Sequence, residues 1–252
     1  MSILIPVYNR ANLIEKTIAS ALNQTVSDIE VVIVDNQSTD NTYEICQNYQ
    51  QQDNRIRLFR NETNIGPVRN WMRCASLATA TYSKILFSDD LIARNFLERT
   101  LPYIISPKCS LVYTPAVIGP EDWTGSVFYQ QYQTECKINQ MTYIKTATYL
   151  TELVPLSPGA ALFRTRDLQE NILTHIPGVD DYDFTVYGAG VDLLVYMLTA
   201  VNYEYVAYLP EPLAFFRYHD DSISIQNKDN MVRLGYQHAV NWFKAQLPKS
   251  TC

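Results

Sequence analysis

Several things are scarce in this 252-residue chain. Eight glycines are too few for a glycine-rich or fibrous repeat architecture. The five cysteines (Cys46, Cys74, Cys109, Cys136 and Cys252) are odd in number, widely spaced and never in a Cys-x-x-Cys pair. That argues against a disulfide framework and a structural zinc site, and for small buried thiols in a reducing compartment. No stretch approaches the ~18–20 consecutive apolar residues of a membrane span. The N-terminal residues lead directly into Ser2-Ile3-Leu4-Ile5-Pro6-Val7, without a basic region or a small-residue cleavage site. The expected location is the cytoplasm, with peripheral attachment at the cytoplasmic membrane face left open. Positive charge is scarce as well: 20 basic against 26 acidic residues give a net charge of −6. Non-specific nucleic-acid or anionic-membrane binding wants a basic face, so no nucleic-acid partner is expected.

What is present describes a folded protein. Hydrophobic residues make up 47% of the chain and charged residues 18%, which excludes a disordered polypeptide. A mass of 28.9 kDa suits one large domain or two small fused ones, with enough surface buried to need no covalent staple. Tyrosine is abundant, at 18 residues.

The first hundred residues alternate strand and helix signals. Ile3 to Val7 is a short apolar run. Leu13, Ile14, Ile18, Ala21 and Leu22 then recur at helical spacing, with Asn12 as a cap. Ile29 to Val34 is a continuous apolar run of the kind found in strands buried on both faces of a parallel sheet. A helix over Thr42–Gln50, a strand over Ile56–Phe59, a helix over Val68–Ala78 and a strand over Tyr82–Phe87 follow. This repetition predicts a doubly wound α/β sheet. Beyond about Leu101 the pattern is less regular. Short strands at Leu111–Thr114, Ala160–Phe163 and Tyr205–Tyr208 accompany helices over Asp192–Ala200 and Lys228–Gln246, and a Tyr- and Gln-rich stretch runs from Tyr129 to Gln140. No internal repeat or low-complexity linker separates the parts. The expected division is a regular first half (1–100), a less regular second half (101–227), and a C-terminal helix and tail (228–252), the two halves fused in one core.

In open α/β sheets ligands bind beyond the carboxyl ends of the strands. The turns there are Pro6–Arg10, Asp35–Asp40, Asn64–Asn70 and Ser88–Asp90. None is a Gly-x-Gly-x-x-Gly or a P-loop, so neither known glycine cradle for phosphate is available. The acids Asp89 and Asp90 suit a hard divalent cation able to offset diphosphate charge, although an acidic pair at a strand end is also ordinary turn chemistry.

Taken in order, these turns resemble a family. Ile-Pro-Val-Tyr-Asn-Arg (5–10), Val-Asp-Asn-Gln-Ser-Thr-Asp-Asn-Thr (34–42), Asn-Ile-Gly-Pro-Val-Arg-Asn (64–70) and Phe-Ser-Asp-Asp (87–90) are similar to successive motifs of inverting family 2 glycosyltransferases with the GT-A fold. Ser-Pro-Gly-Ala-Ala-Leu-Phe-Arg (157–164) and the segment 208–224, with its Arg-x-His-x-x-Ser-x-Ser ending, extend the resemblance over roughly residues 2–225. It implies a GT-A fold with a doubly wound, mostly parallel sheet, in which residues 1–100 would be the nucleotide-sugar-binding half and 101–227 the acceptor-binding half carrying the catalytic base. It also implies transfer of a sugar from a UDP, dTDP or GDP sugar to a glycan or lipid-linked acceptor, in polysaccharide or other glycan biosynthesis. Pro6, Tyr8 and Asn9 would shape the nucleotide pocket, and Asp35 would hydrogen-bond the base. Asn64, Gly66 and Arg69 would lie beside the ribose and diphosphate. Asp90, with Asp89 beside it on the nucleotide side, would hold Mn²⁺ or Mg²⁺, completed by His219.

Two departures stand out. Asn36 replaces an acid that often follows the base-binding Asp. The general base is displaced: in Tyr187-Gly188-Ala189-Gly190-Val191-Asp192, Asp192 is the only acid, and a gapless reading puts Gly190 where the base belongs. Asp192 is the expected base, against the alternative of a helix N-cap. Asp180, Asp181 and Asp183 form the nearest alternative cluster. Two competing functions follow: a non-catalytic nucleotide-sugar or carbohydrate-binding protein of the same fold, and a sugar nucleotidyltransferase. The latter wants a glycine-rich basic first turn that Pro6-Val7-Tyr8-Asn9 lacks.

Overall fold

The computed structural model describes residues 1–150, 153–219 and 230–247. Four parallel strands open the chain: β1 (Ser2–Val7), β2 (Glu30–Asp35), β3 (Ile56–Arg60) and β4 (Tyr82–Ile85). They belong to an eight-stranded mixed sheet ordered β3-β2-β1-β4-β10-β6-β11-β9, completed by β6 (Cys109–Tyr113), β9 (Cys136–Asn139), β10 (Ala161–Arg164) and β11 (Tyr205–Tyr208). The order reverses around β1, with β2 on one side and β4 on the other, which creates the crevice where an α/β fold takes its ligand.

The unbroken apolar runs of β1 and β2 are explained by cover on both faces. Ile3, Ile5 and Val7 face one core, with α1 (Ile14–Leu22), α2 (Thr42–Gln52) and α4 (Phe96–Ile104). Leu4 faces the other, with α3 (Pro67–Leu77), α5 (Gln140–Thr148), α6 (Thr165–Asn171), α8 (Val191–Ala200) and α9 (Met231–Gln246). Each buried aliphatic side chain contributes roughly 1.5–3 kcal/mol, so a strand with no polar face is stable only between two helical layers. Cys46, Cys74 and Cys109 are buried free thiols, and burial raises the pKa of each.

β10 lies antiparallel between β4 and β6, pairing Phe163 with Ser83 and with Leu111, so strands from early and late sequence form one sheet. A second sheet, ordered β5-β12-β7-β8, stands beside the acidic turn. It comprises β5 (Leu91–Ile92), β7 (Ala116–Glu121), β8 (Thr124–Phe128) and β12 (Ala214–Arg217).

The structure differs from the sequence reading in places. The turn before α1 is held by the Arg10 carbonyl, which accepts from Leu13 N and Ile14 N, and no side chain, Asn12 included, caps the helix. The β7–β8 hairpin carries no apolar alternation on its exposed outer strand, and the Tyr/Gln-rich stretch ends in the edge strand β9. Of the predicted terminal helix, Lys228 and Asp229 lie outside the described residues, as does the part of the Arg-x-His-x-x-Ser-x-Ser segment beyond His219.

Candidate active site

The turns after β1 and β2 are laced together by side chains. Asn9, at φ 51°, sits in the left-handed region that asparagine tolerates better than most residues. Its N–H donates to Ser38 Oγ (2.9 Å), and its Oδ1 accepts from Thr39 N (2.8 Å). Arg10 N donates to Thr42 Oγ1 (2.7 Å). Pro6 is buried within β1 opposite Val34, whereas Tyr8 is exposed. Asp35 ends β2 fully buried. Its Oδ2 accepts from Ser38 N (3.1 Å) and faces Arg60 Nε (3.1 Å). Its Oδ1 has no partner among the described residues. A buried acceptor left unpaired is costly, so this oxygen is ready for a donor from outside.

Asn36, the departure noted above, is the hub of a polar network. Its Nδ2 donates to Asn64 Oδ1 (2.8 Å) and Gly66 O (3.3 Å), and its Oδ1 accepts from Asn61 Nδ2 (2.7 Å) and Ile65 N (3.0 Å). Asn61 in turn bonds Asn70 Oδ1 and Arg73, and Asn70 bonds the Val34 carbonyl. A carboxylate at position 36 has no N–H to offer Asn64 or Gly66. The amide thus fixes the 64–66 turn, in which Gly66 takes φ +82° before Pro67 opens α3.

After β4 the acidic turn is pinned from below: the Thr17 hydroxyl lies 3.1 and 3.0 Å from the carbonyls of Ser88 and Asp90. The two acids then point to different partners. Asp89 Oδ2 is 3.0 Å from His219 Nε2 and 3.4 Å from Arg10 Nε. Burial opposes its ionisation, but the His219 hydrogen bond and the Arg10 charge prevail and hold its carboxyl below the usual range. Asp90 Oδ1 accepts from Arg217 N (3.0 Å), and burial together with the Asp89 charge pushes its carboxyl up. His219, expected to complete a metal site with Asp90, makes its direct contact with Asp89. Arg217 N occupies Asp90, and His219, two residues further along, reaches the other carboxylate. Among the described residues, no three or more His, Cys, Asp or Glu side chains gather as a metal cage. Two protein ligands fit a hard cation that keeps waters and substrate phosphate oxygens as its remaining ligands.

Behind this turn stand two residues that sequence reasoning missed. The Arg217 guanidinium donates to Asp89 O (3.1 Å) and Pro120 O (3.2 Å) and pairs with Asp122. Its sequence signal was its place in the Arg-x-His segment, two residues before His219, at the end of β12. Lys84 is fully buried in β4, its Nζ donating to the Ile85 and Gly159 carbonyls and lying over the Phe96 ring. Burial lowers its pKa to about 7, against the pull of the Asp90 charge.

The segment expected to carry the base packs across α3. Asp183 caps the short α7 (Phe184–Tyr187) by accepting from Thr185 N (2.9 Å), and exposed Arg69 donates to Thr185 Oγ1 (3.0 Å). Asp180 and Asp181 are exposed in the preceding loop. Phe87, at the head of the acidic turn, stacks on Trp71 (5.2 Å between centroids), and Trp71 fills the place of a Gly188 side chain, whose Cβ would come within 2.2 Å of the indole. Gly190 has φ +90°, and a Cβ there would sit 2.5 Å from the Gly235 carbonyl of α9. No acid fits at 190. Asp192 lies in the first turn of α8 and is not its N-cap, which is Gly190. Its Oδ1 accepts from Gly190 N (2.9 Å) and Leu193 N (2.8 Å), and its Oδ2 from the Tyr236 hydroxyl (2.6 Å). Burial pushes its carboxyl up to about 7 despite these three donors. Tyr236, on the last helix, had no sequence signal tying it to Asp192.

Residues 2–172 match glycosyl transferase family 2, and the chain belongs to that family. It is 35% identical over 98 residues to the glycosyltransferase GlyG of Streptococcus pneumoniae, covering 39% of this chain and 33% of that protein. It is 32% identical over 124 residues to the putative teichuronic acid biosynthesis glycosyltransferase TuaG of Bacillus subtilis, covering 49% of each. A third relative is the abequosyltransferase RfbV of Salmonella typhimurium, 38% identical over 109 residues, 42% of this chain and 33% of that one. The matches span a third to a half of these relatives' length. Among solved structures, S. aureus TarS 1–349 in complex with UDP-GlcNAc superposes with a TM-score of 0.70 at 18% identity, covering 97% of this chain and 72% of that one. The fold is GT-A-like.

Proposed function

We propose that this protein transfers a sugar from a nucleoside-diphosphate sugar to a hydroxyl of a glycan or lipid-linked acceptor, with inversion at the anomeric carbon and with a divalent cation. One observation carries the reading. The unpaired Asp35 Oδ1 and the Asp89–His219 pair stand beyond β2 and β4, on either side of β1. Two strand spacings separate β2 from β4 laterally by roughly 10 Å, leaving room for a ligand that spans both turns. The TarS complexes with UDP and UDP-GlcNAc make UDP the first nucleotide to try.

In this reading Asp35 Oδ1 accepts an N–H of the base, Tyr8 lies beside it, and the Asn36-fixed turn presents Asn64 and Gly66 to the ribose and diphosphate. Asp90 and His219, with Asp89 beside them, would hold Mn²⁺ or Mg²⁺, which would offset the charge of the leaving diphosphate. Arg10 and Arg69 flank the same turns. Asp192, with its carboxyl near neutrality, takes the acceptor hydroxyl's proton on Oδ2 once the Tyr236 hydroxyl gives way. Attack from the face opposite the diphosphate completes a single displacement without a covalent intermediate.

Gly190 favours a second reading, nucleotide-sugar binding without transfer, because the place where the resemblance puts the base cannot hold an acid. Incubation with Mn²⁺ and UDP-, dTDP- and GDP-sugars, following both binding and release of nucleoside diphosphate, separates the two. Binding with no turnover selects the second. No binding of any donor sinks both.

A further inference from the structure

We propose that the open cavity beside Trp123 is a carbohydrate subsite for a sugar unit of the acceptor glycan, separate from the donor turns; the assignment rests on the glycan-acceptor reading above. The cavity, about 460 Å³, is lined by Asn23, Ile92, Ala93, Arg94, Trp123 and Pro212 among others. That volume falls within the range of small-molecule sites, about 300–1,000 Å³.

Three features point to a sugar. First, Trp123 closes the β7–β8 hairpin at φ +60°, a left-handed backbone natural to glycine or asparagine and strained for a bulky ring. Strain held in place by its surroundings is a mark of functional positions. Second, the surroundings do hold it. Asp122 is clamped between Lys16 (2.7 Å) and Arg217, and the indole packs on Phe215 (5.9 Å between centroids). The ring is nonetheless 39% exposed, a rigid aromatic surface facing solvent. Third, the polar groups around it are unspent. Neither the Arg94 guanidinium nor the Asn23 amide has a hydrogen bond or ion pair among the described residues. A pyranose has an apolar C–H face, which stacks on an aromatic ring, and a rim of hydroxyls, which need donors and acceptors. An indole flanked by an amide and a guanidinium supplies both.

The subsite is remote from the donor turns. α1 starts after Arg10 and its nine residues rise about 13 Å before Asn23. It is mechanically connected to them all the same, because Arg217 bonds both Asp122 and the Asp89 carbonyl.

Saturation-transfer NMR on the full chain with the methyl β-glycosides of glucose, galactose, N-acetylglucosamine and glucuronic acid tests this, with UDP plus Mn²⁺ titrated on the same samples. At least one glycoside should bind saturably. Trp123→Gly, which suits the positive φ and so keeps the fold, should weaken it roughly tenfold, the scale of an aromatic stacking contact, while leaving UDP affinity unchanged. Arg94→Gln should weaken glucuronic acid more than the neutral sugars if the guanidinium reads charge, and all of them alike if it reads hydroxyls. Absence of saturable binding by all four glycosides overturns the proposal, as does binding that Trp123→Gly leaves intact. Failure of UDP to bind would count against the donor reading alone.

Discussion

Asp35 is fully buried and Asp192 half-buried, and the structure treats them in opposite ways. Asp35 sits among partners drawn from the neighbouring turns, and one of its oxygens is left without a donor. Asp192 has both oxygens engaged, one of them by a tyrosine 44 residues away. The first region keeps an unfilled valence for a ligand. The second is saturated by its own fold, through glycine contacts (Gly188 on Trp71, Gly190 on Gly235) that leave no room for a longer side chain. In the proposed reading, pre-organisation around the donor coexists with a base that must be released before it can act.

The comparison can be broken at several points. The largest effect is expected from Asp89→Asn, which removes the carboxylate shared with His219 and should lower kcat/KM by about 10³-fold in donor-saturation kinetics. Asp192→Asn should reduce kcat by at least about 10²-fold with donor KM unchanged; unchanged kcat would remove Asp192 from the chemistry. Gly188→Ala, at φ +73° and against Trp71, should destabilise the fold by about 3 kcal/mol in denaturant titration. Asn36→Asp loses two donors to the 64–66 turn and should raise donor KM roughly tenfold while leaving kcat within a factor of a few.

A further test is a pH signature. Asp192 ionises at about 7 in the folded chain against 3.8 in the free side chain. Between those values the native state holds a proton that the unfolded chain has lost. Stability should therefore fall as pH rises through that window and level off above it. Asp192→Asn should remove this slope. Tyr236→Phe deletes a donor that favours the carboxylate, so the rising limb of the pH–rate profile should move to higher pH.

The turns of the proposed donor site were legible in the sequence because each of their devices is local. A strand ends, a turn begins, and Asn9, Asp35, Asn64 and Asp89 announce themselves by type and spacing. The parallel order of β1 to β4 followed from the same periodicity. The other region depends on contacts between distant segments. Nothing near Asp192 names Tyr236, nothing near Gly190 names Gly235, and the division of labour between Asp89 and Asp90 is decided by Arg217 and His219 about 130 residues later. Asn36 looked like a loss of acid; only its four partners disclose it as a hub. The strained Trp123 hairpin was invisible because its outer strand faces solvent and lacks the alternation that marks a half-buried strand.

The antiparallel insertion of β10 has a consequence in time. Ser83 of β4 waits for Phe163, roughly 80 residues later in the chain. At about 5–20 residues per second of synthesis, that is an interval of roughly 4–16 s. Through it the newly made β1–β4 unit carries an unpaired sheet edge, the kind of surface on which chains join one another. The strand that welds the two parts of the finished sheet is thus also the one whose late arrival governs how long that edge stays open.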